Sequence, residues 1–100
     1  MAATVRVEVV SPERLVWSGD AAMVIARGAE GELGVLPEHA PLITFLVPGD
    51  VRIRRTEEPE LMVAVTAGFL EVKPDRVTIL AESAAIRAVG EHATAIEADT

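Results

Sequence analysis

Apolar and polar residues alternate with a period of two through most of this chain. In Val5-Arg6-Val7-Glu8-Val9 the valines take one face and the charges the other, the pattern of a half-buried strand. The alternation returns in Val51-Arg52-Ile53-Arg54, with both arginines outward. Shorter apolar runs predict further strands over Leu15–Ser18, Ala22–Ala26 (Met23 and Ile25 on one face), Leu33–Leu36, Leu42–Val47, Leu61–Val65, Phe69–Val72 and Val77–Leu80. Turn residues separate them: Ser11-Pro12-Glu13-Arg14, Gly19-Asp20, Pro48-Gly49, the acidic tip Thr56-Glu57-Glu58-Pro59-Glu60, and Lys73-Pro74-Asp75-Arg76. Ala67-Gly68 interrupts its run and reads as a bulge. Many short strands with regular turn signals predict a mainly β fold, an antiparallel sandwich or barrel. The period changes after Glu82. Ala84–Ala98 is alanine-rich, and Ile86, Val89, Ala93 and Ile96 fall at helical spacing. Ser83 is placed to cap a helix. Gly90 in its middle costs roughly 1 kcal/mol relative to alanine. The expected division is a β-sandwich over residues 1–82 and one short C-terminal α-helical segment over 83–100.

The stretch from Glu30 to Gly49 departs from plain strand. Gly31 and Gly34 bracket a turn that needs positive φ or close backbone approach. Pro37 and Pro41 fix φ and remove two donors, so the chain between them forms a rigid loop outside any ladder. Such a loop on a rigid scaffold presents side chains. Those available are Glu30, Glu32, Glu38 and His39.

Composition narrows the chemistry. Half the residues are apolar and only 3% are aromatic, so the core is built from small aliphatic side chains. A net charge of −7 opposes nucleic-acid binding. Without cysteine there is no disulfide framework and no thiolate. No apolar run reaches the ~18 residues of a membrane span, and Met1-Ala2-Ala3-Thr4 lacks the layout of a signal peptide. Gly28-Ala29-Glu30-Gly31-Glu32-Leu33-Gly34 lacks the Gly-Lys-Ser/Thr ending of a phosphate-binding loop. His39 beside Glu38 supplies too few ligands for a metal site, and Glu30 with Glu32 lacks a partner base. His92 lies beside the apolar stripe of the expected helix. Arg52, Arg54 and Arg55 form the basic cluster, faced by Glu57, Glu58 and Glu60. The residues alone therefore describe a small β domain that works by contact, with no cofactor or metal.

The run Glu30-Gly31-Glu32-Leu33-Gly34-Val35-Leu36-Pro37-Glu38-His39-Ala40-Pro41-Leu42 resembles the signature of the epsilon subunit of F-type ATP synthase. Val9-Val10-Ser11-Pro12-Glu13-Arg14 with Trp17-Ser18-Gly19, Pro48-Gly49-Asp50-Val51-Arg52-Ile53, and Gly68-Phe69-Leu70-Glu71-Val72-Lys73-Pro74 through Val77-Thr78-Ile79-Leu80-Ala81-Glu82 are similar to that family's other segments, in the same order. The resemblance implies a two-sheet sandwich of about ten strands at the foot of the central stalk. It implies a non-catalytic rotor subunit that grips the gamma subunit, rests on the c ring and couples ion-driven rotation to ATP synthesis in the catalytic alpha/beta head. Glu30, Gly31 and Glu32 correspond to the acidic turn that meets the ring, and His39, Pro41 and Leu42 to the loop near the stalk. Association with the cytoplasmic face of the bacterial membrane would come only through the membrane-embedded partner. Glu38 and Ala67 stand where the family usually has glycine, and Ala84 or Ala85 looks like an insertion. The family usually continues into a two-helix hairpin that in some members binds ATP. No residue run here matches that ATP motif convincingly, so the expectation is a short form that couples rotation without inhibiting or sensing ATP. The alternative is a free-standing β-sandwich interaction module with another partner; a metal or small-ligand enzyme using Glu30, Glu32 and His39 ranks below both.

Overall fold

Val5, Val7 and Val9 of the first alternating segment are buried, and nine further strands follow along the chain. A computed structural model describes residues 3–89. The strands are β1 (Val5–Val10), β2 (Leu15–Ala21), β3 (Met23–Gly28), β4 (Gly31–Val35), β5 (Leu42–Leu46), β6 (Gly49–Arg54), β7 (Leu61–Val65), β8 (Gly68–Lys73), β9 (Arg76–Ala81) and β10 (Ala84–Val89). The hydrogen-bonded order is β10-β7-β6-β3-β5-β8-β9-β1-β2, with β4 paired to β3. This path divides into two five-stranded halves, β4-β3-β6-β7-β10 and β5-β8-β9-β1-β2. Their backbones join at the paired residues Gly28 and Leu46, flanked by Ala29 N–H donating to Phe45 O at 3.0 Å and Val47 N–H donating to Arg27 O at 3.1 Å.

Both halves contribute to one core. Val24 and Ala26 of β3, Val51 and Ile53 of β6 and Leu61, Val63 and Val65 of β7 belong to the same buried cluster as Leu70, Val72, Val77 and Ile79 of β8 and β9. Each of these valine, leucine and isoleucine side chains contributes about 1.5–3 kcal/mol when removed from water. The expected sandwich of about ten strands is therefore present. All its pairs are antiparallel except β1 with β9, which run parallel from Arg6↔Arg76 to Val10↔Leu80.

The structure moves several expected boundaries. Gly19 and Asp20 do not end β2; they pair with Val7 and Arg6 inside it. Ala67-Gly68 is not a bulge. β7 stops at Val65, and Gly68 opens β8, where a Cβ would collide with the Leu80 carbonyl oxygen and lie 2.8 Å from Ala81 Cα. Glycine is there because two backbones approach closely. The expected neutralisation of the basic cluster is present: Glu60 accepts from Arg52 at 3.2 Å and from Arg54 at 3.1 Å, and Glu58 lies 3.6 Å from Arg55. Arg55 also stacks 5.9 Å from the Trp17 ring centroid.

The largest correction concerns the expected helix. Its first six residues form strand β10, antiparallel to β7 with Ala84 opposite Val65. The unpaired edge of β7 supplies backbone partners that a short, marginal helix would not have. Ser83 is no cap: its N–H donates to Thr66 Oγ1 at 2.9 Å and its carbonyl accepts from Thr66 N–H at 3.0 Å. Arg87 occupies the register shift in β10 and reaches Asp50 on β6 with contacts of 2.9 and 2.6 Å. The remainder of the expected helix, with Gly90 and His92, lies outside the described residues.

Candidate functional site

Residues of the Glu30–Leu42 stretch fall into two places. The first is the tip of the β3–β4 hairpin. Arg27 pairs with Glu32 and Gly28 with Gly31, leaving Ala29-Glu30 as the two-residue connection. Gly31 has φ of 127°, and a Cβ added there would meet nothing within 4 Å, so its demand is conformational rather than steric. Gly34 lies within β4, not at the turn. Glu30, Gly31 and Glu32 are exposed and, with Leu33, Leu42 and Thr44 of the neighbouring strands, line a hollow of about 210 Å³. Leu42 is thereby brought to the acidic tip.

The second place is the loop between β4 and β5. His39 N–H donates to Leu36 O at 3.1 Å, closing a turn with Pro37 and Glu38 at its centre. Pro37 fixes a negative φ, and Glu38 has φ of 65°, so the turn is type II. His39 Nδ1 donates to Ala40 O at 2.7 Å, which holds the ring against its own loop. His39 is half-buried and Pro41 exposed. Neither lines the hollow at the hairpin tip, so the structure does not gather the six expected site residues into one cluster. Among the described residues no three histidine or carboxylate side chains converge as metal ligands.

A third feature was missed by sequence reasoning. Leu46 of β5 turns inward while Phe45 turns outward, 62% exposed. Phe45 pairs with Phe69, Phe69 with Leu80, Leu80 with Val10, and Val10 with Leu15. These five form one row across the outer face of β5-β8-β9-β1-β2. The two phenyl rings pack at 4.9 Å between centroids with a 40° tilt. The row borders an apolar groove of about 670 Å³. The next row is polar at its centre: Ile43, Glu71, Thr78 and Glu8 pair across β5, β8, β9 and β1. An exposed apolar band of this kind is a candidate contact surface. The available signal was Leu42-Ile43-Thr44-Phe45-Leu46, apolar at outward as well as inward positions, which exceeds what one buried face requires.

Comparison with known proteins bears on these surfaces. Residues 4–87 match the family described as ATP synthase, Delta/Epsilon chain, beta-sandwich domain. The ATP synthase epsilon chain of Brevibacillus brevis is 56% identical over 78% of this chain and 59% of its own length. That of Moorella thermoacetica is 56% identical over 82% of this chain and 61% of its own. The chain thus spans about 60% of the length of these relatives. Among solved structures, a chain of the Euglena gracilis mitochondrial ATP synthase OSCP/F1/c-ring assembly aligns with a TM-score of 0.80 at 21% identity, covering 96% of this chain and 61% of that one. A chain of the Tetrahymena thermophila mitochondrial ATP synthase central stalk/c-ring assembly aligns with a TM-score of 0.71 at 19% identity, covering 85% and 68%. At those identities the structural matches establish the fold.

Proposed function

We propose, since this chain belongs to the ATP synthase delta/epsilon family through its β-sandwich domain, that it serves as a non-catalytic central-stalk subunit of a rotary ATP synthase. The observation that carries this reading is the exposed apolar row Phe45-Phe69-Leu80-Val10-Leu15. A row so placed fits the side of a helical stalk subunit, the gamma subunit of the assembly. The hairpin tip is a different kind of surface. Glu30 and Glu32 are exposed carboxylates on a stiff turn, with Leu42 beneath them. That arrangement suits the polar loops of a c ring. His39 and Pro41 shape the neighbouring loop toward the stalk.

The work is mechanical. Rotation of the ring is passed through contacts at the tip into the sandwich, and from the sandwich into gamma, which drives the catalytic head. A stiff body transmits such a load better than a jointed one, and one close-packed core through both sheets makes the sandwich stiff. Attachment to the cytoplasmic side of the membrane follows from the assembly.

The test is a pull-down of the tagged full chain from its own membranes, with partners identified by mass. Gamma, the catalytic subunits and the c ring are expected together. Phe45→Ser combined with Phe69→Ser should lose gamma, and Glu30→Lys combined with Glu32→Lys should weaken retention of the ring. Recovery of none of these from membranes holding an intact synthase would leave a free-standing interaction module.

A further inference from the structure

Strand β10 ends the hydrogen-bonded path and has one neighbour in it, β7. Its register sets Ala84 opposite Val65, Ile86 opposite Val63 and Val89 opposite Leu61, and those three residues of β7 belong to the core. Side chains in such register should be buried with their partners. Ile86 is instead 45% exposed and Val89 50% exposed, and of the three it is Ala84 that packs against the core. Burial of apolar area therefore holds β10 weakly, although it holds β7 firmly.

Two polar contacts pin the strand. At its start, Ser83 and Thr66 exchange hydrogen bonds between uncharged groups. Farther along, the register shifts between Ile86 and Ala88, and Arg87 reaches from that irregularity over β7 to Asp50 on β6. The contact has two prongs: Nε donates to Asp50 Oδ1 at 2.9 Å and Nη2 to Asp50 Oδ2 at 2.6 Å, the geometry of a strong guanidinium–carboxylate pair. The same Nη2 lies 2.8 Å from Met62 Sδ, so the guanidinium rests on a side chain of β7 that is buried. Both members of the pair remain about a third exposed, and salt therefore screens it.

We infer that β10 is a releasable strap, clasped by Asp50 and Arg87, that opens as a unit while the rest of the sandwich stays folded. An edge strand with little buried apolar area and a screened ion pair is the element of this fold that opens at least cost. Opening pivots on the short connection Glu82-Ser83, which follows β9 directly. It uncovers Met62 and leaves one side of Leu61–Val65 without backbone partners, an edge that another extended segment could pair with. No residue of the apolar row or of the acidic tip lies on β10, so the strap opens with both surfaces in place. The inference does not depend on the proposed stalk role.

Native-state hydrogen exchange on the full chain tests it, at low salt and in 1 M sodium chloride. Protected amides of Ala84–Val89 should open together, at least about tenfold more often than those of β1 and β9. In 1 M salt they should open about fivefold more often again, while β1 and β9 stay unchanged. A lock supplies the second arm. Ala64 and Ala85 are directly paired and the chain has no cysteine, so Ala64→Cys with Ala85→Cys can form a disulfide across β7 and β10. The oxidised form should slow exchange in β10 at least about tenfold and lose the added opening at 1 M salt; reduction should restore both. Exchange of β10 at the rate of β1 in the unlocked chain would overturn the strap. Opening of β10 that is indifferent to salt, or salt acceleration shared equally by β1, β9 and β10, would overturn the clasp.

Discussion

Gly68→Ala tests the packing of the face that carries the apolar row. Gly68 opens β8, where it pairs with Leu46 on one side and Ala81 on the other. A methyl group there would overlap the Leu80 carbonyl oxygen and sit 2.8 Å from Ala81 Cα and 2.9 Å from Leu80 carbonyl carbon. These atoms are backbone in a hydrogen-bonded strand, so no rotamer relieves the contact. β9 must move from β8 by well over half an ångström, which strips about two ladder bonds at about 1 kcal/mol each. Overpacking adds about 1–3 kcal/mol. The expected loss is therefore about 3–5 kcal/mol, a large part of the stability of a small domain. At about 4–8 °C per kcal/mol for a domain of this size, the melting temperature should fall by at least about 12 °C. Gly34→Ala is the control. Its methyl would lie 2.5 Å from Met23 Cε, the free end of a flexible side chain that can swing away, so it should cost less than about 1 kcal/mol. Thermal unfolding followed by circular dichroism, with urea midpoints at constant slope, measures both. A Gly68→Ala protein melting within about 3 °C of the parent, or a Gly34→Ala loss equal to it, would refute the close-approach argument.

Phe45→Ser should change folding stability by no more than about 1 kcal/mol, because the ring is 62% exposed, while binding of a hydrophobic dye to the isolated chain falls; a loss above about 3 kcal/mol would place the ring in the core. Glu60→Gln removes the negative charge shared by Arg52 and Arg54 and should destabilise by about 1 kcal/mol at low salt and less at 1 M salt, measured by urea midpoints. Asp50→Asn loosens the contact with Arg87 at a half-exposed site, so amides of β10 should exchange with solvent about fivefold faster while those of β1 stay unchanged.

Alternation carried most of the fold. Val5-Arg6-Val7-Glu8-Val9 and Val51-Arg52-Ile53-Arg54 state their inward faces outright, and both place them as expected. Met23 and Ile25 do share a face, but Val24 and Ala26 are the buried pair; a run apolar at every position does not say which side is in. The start of the C-terminal segment was misread because spacing and alanine content measure a helix against open chain. They do not register the free edge of β7, about twenty residues away in sequence, which decides the matter. The hairpin tip was legible in part: Gly31 marks it, but the turn lies at Ala29-Glu30 and Gly34 falls inside β4. The apolar row was not, because Phe45, Phe69, Leu80, Val10 and Leu15 come together only through strand order and register.

Strand order also explains why Leu42-Ile43-Thr44-Phe45-Leu46 is apolar on both sides. β5 is where the two halves of the sandwich join, at Leu46 opposite Gly28. Its Leu42 and Thr44 line the hollow beneath the acidic tip, and its Phe45 begins the exposed row. Under the proposed role, the surface for the ring and the surface for the stalk are alternate faces of one five-residue strand. Load entering at Glu30 and Glu32 would reach Phe45 through a few backbone bonds, with no flexible loop between. Gly68→Ala displaces β9 at Leu80 and Ala81, beside Phe69 in the exposed row, while leaving Glu30 and Glu32 untouched. In an assembly containing that variant, ring retention should therefore survive below the lowered melting point while gamma binding weakens. Equal loss of both contacts would argue that the two faces do not act separately.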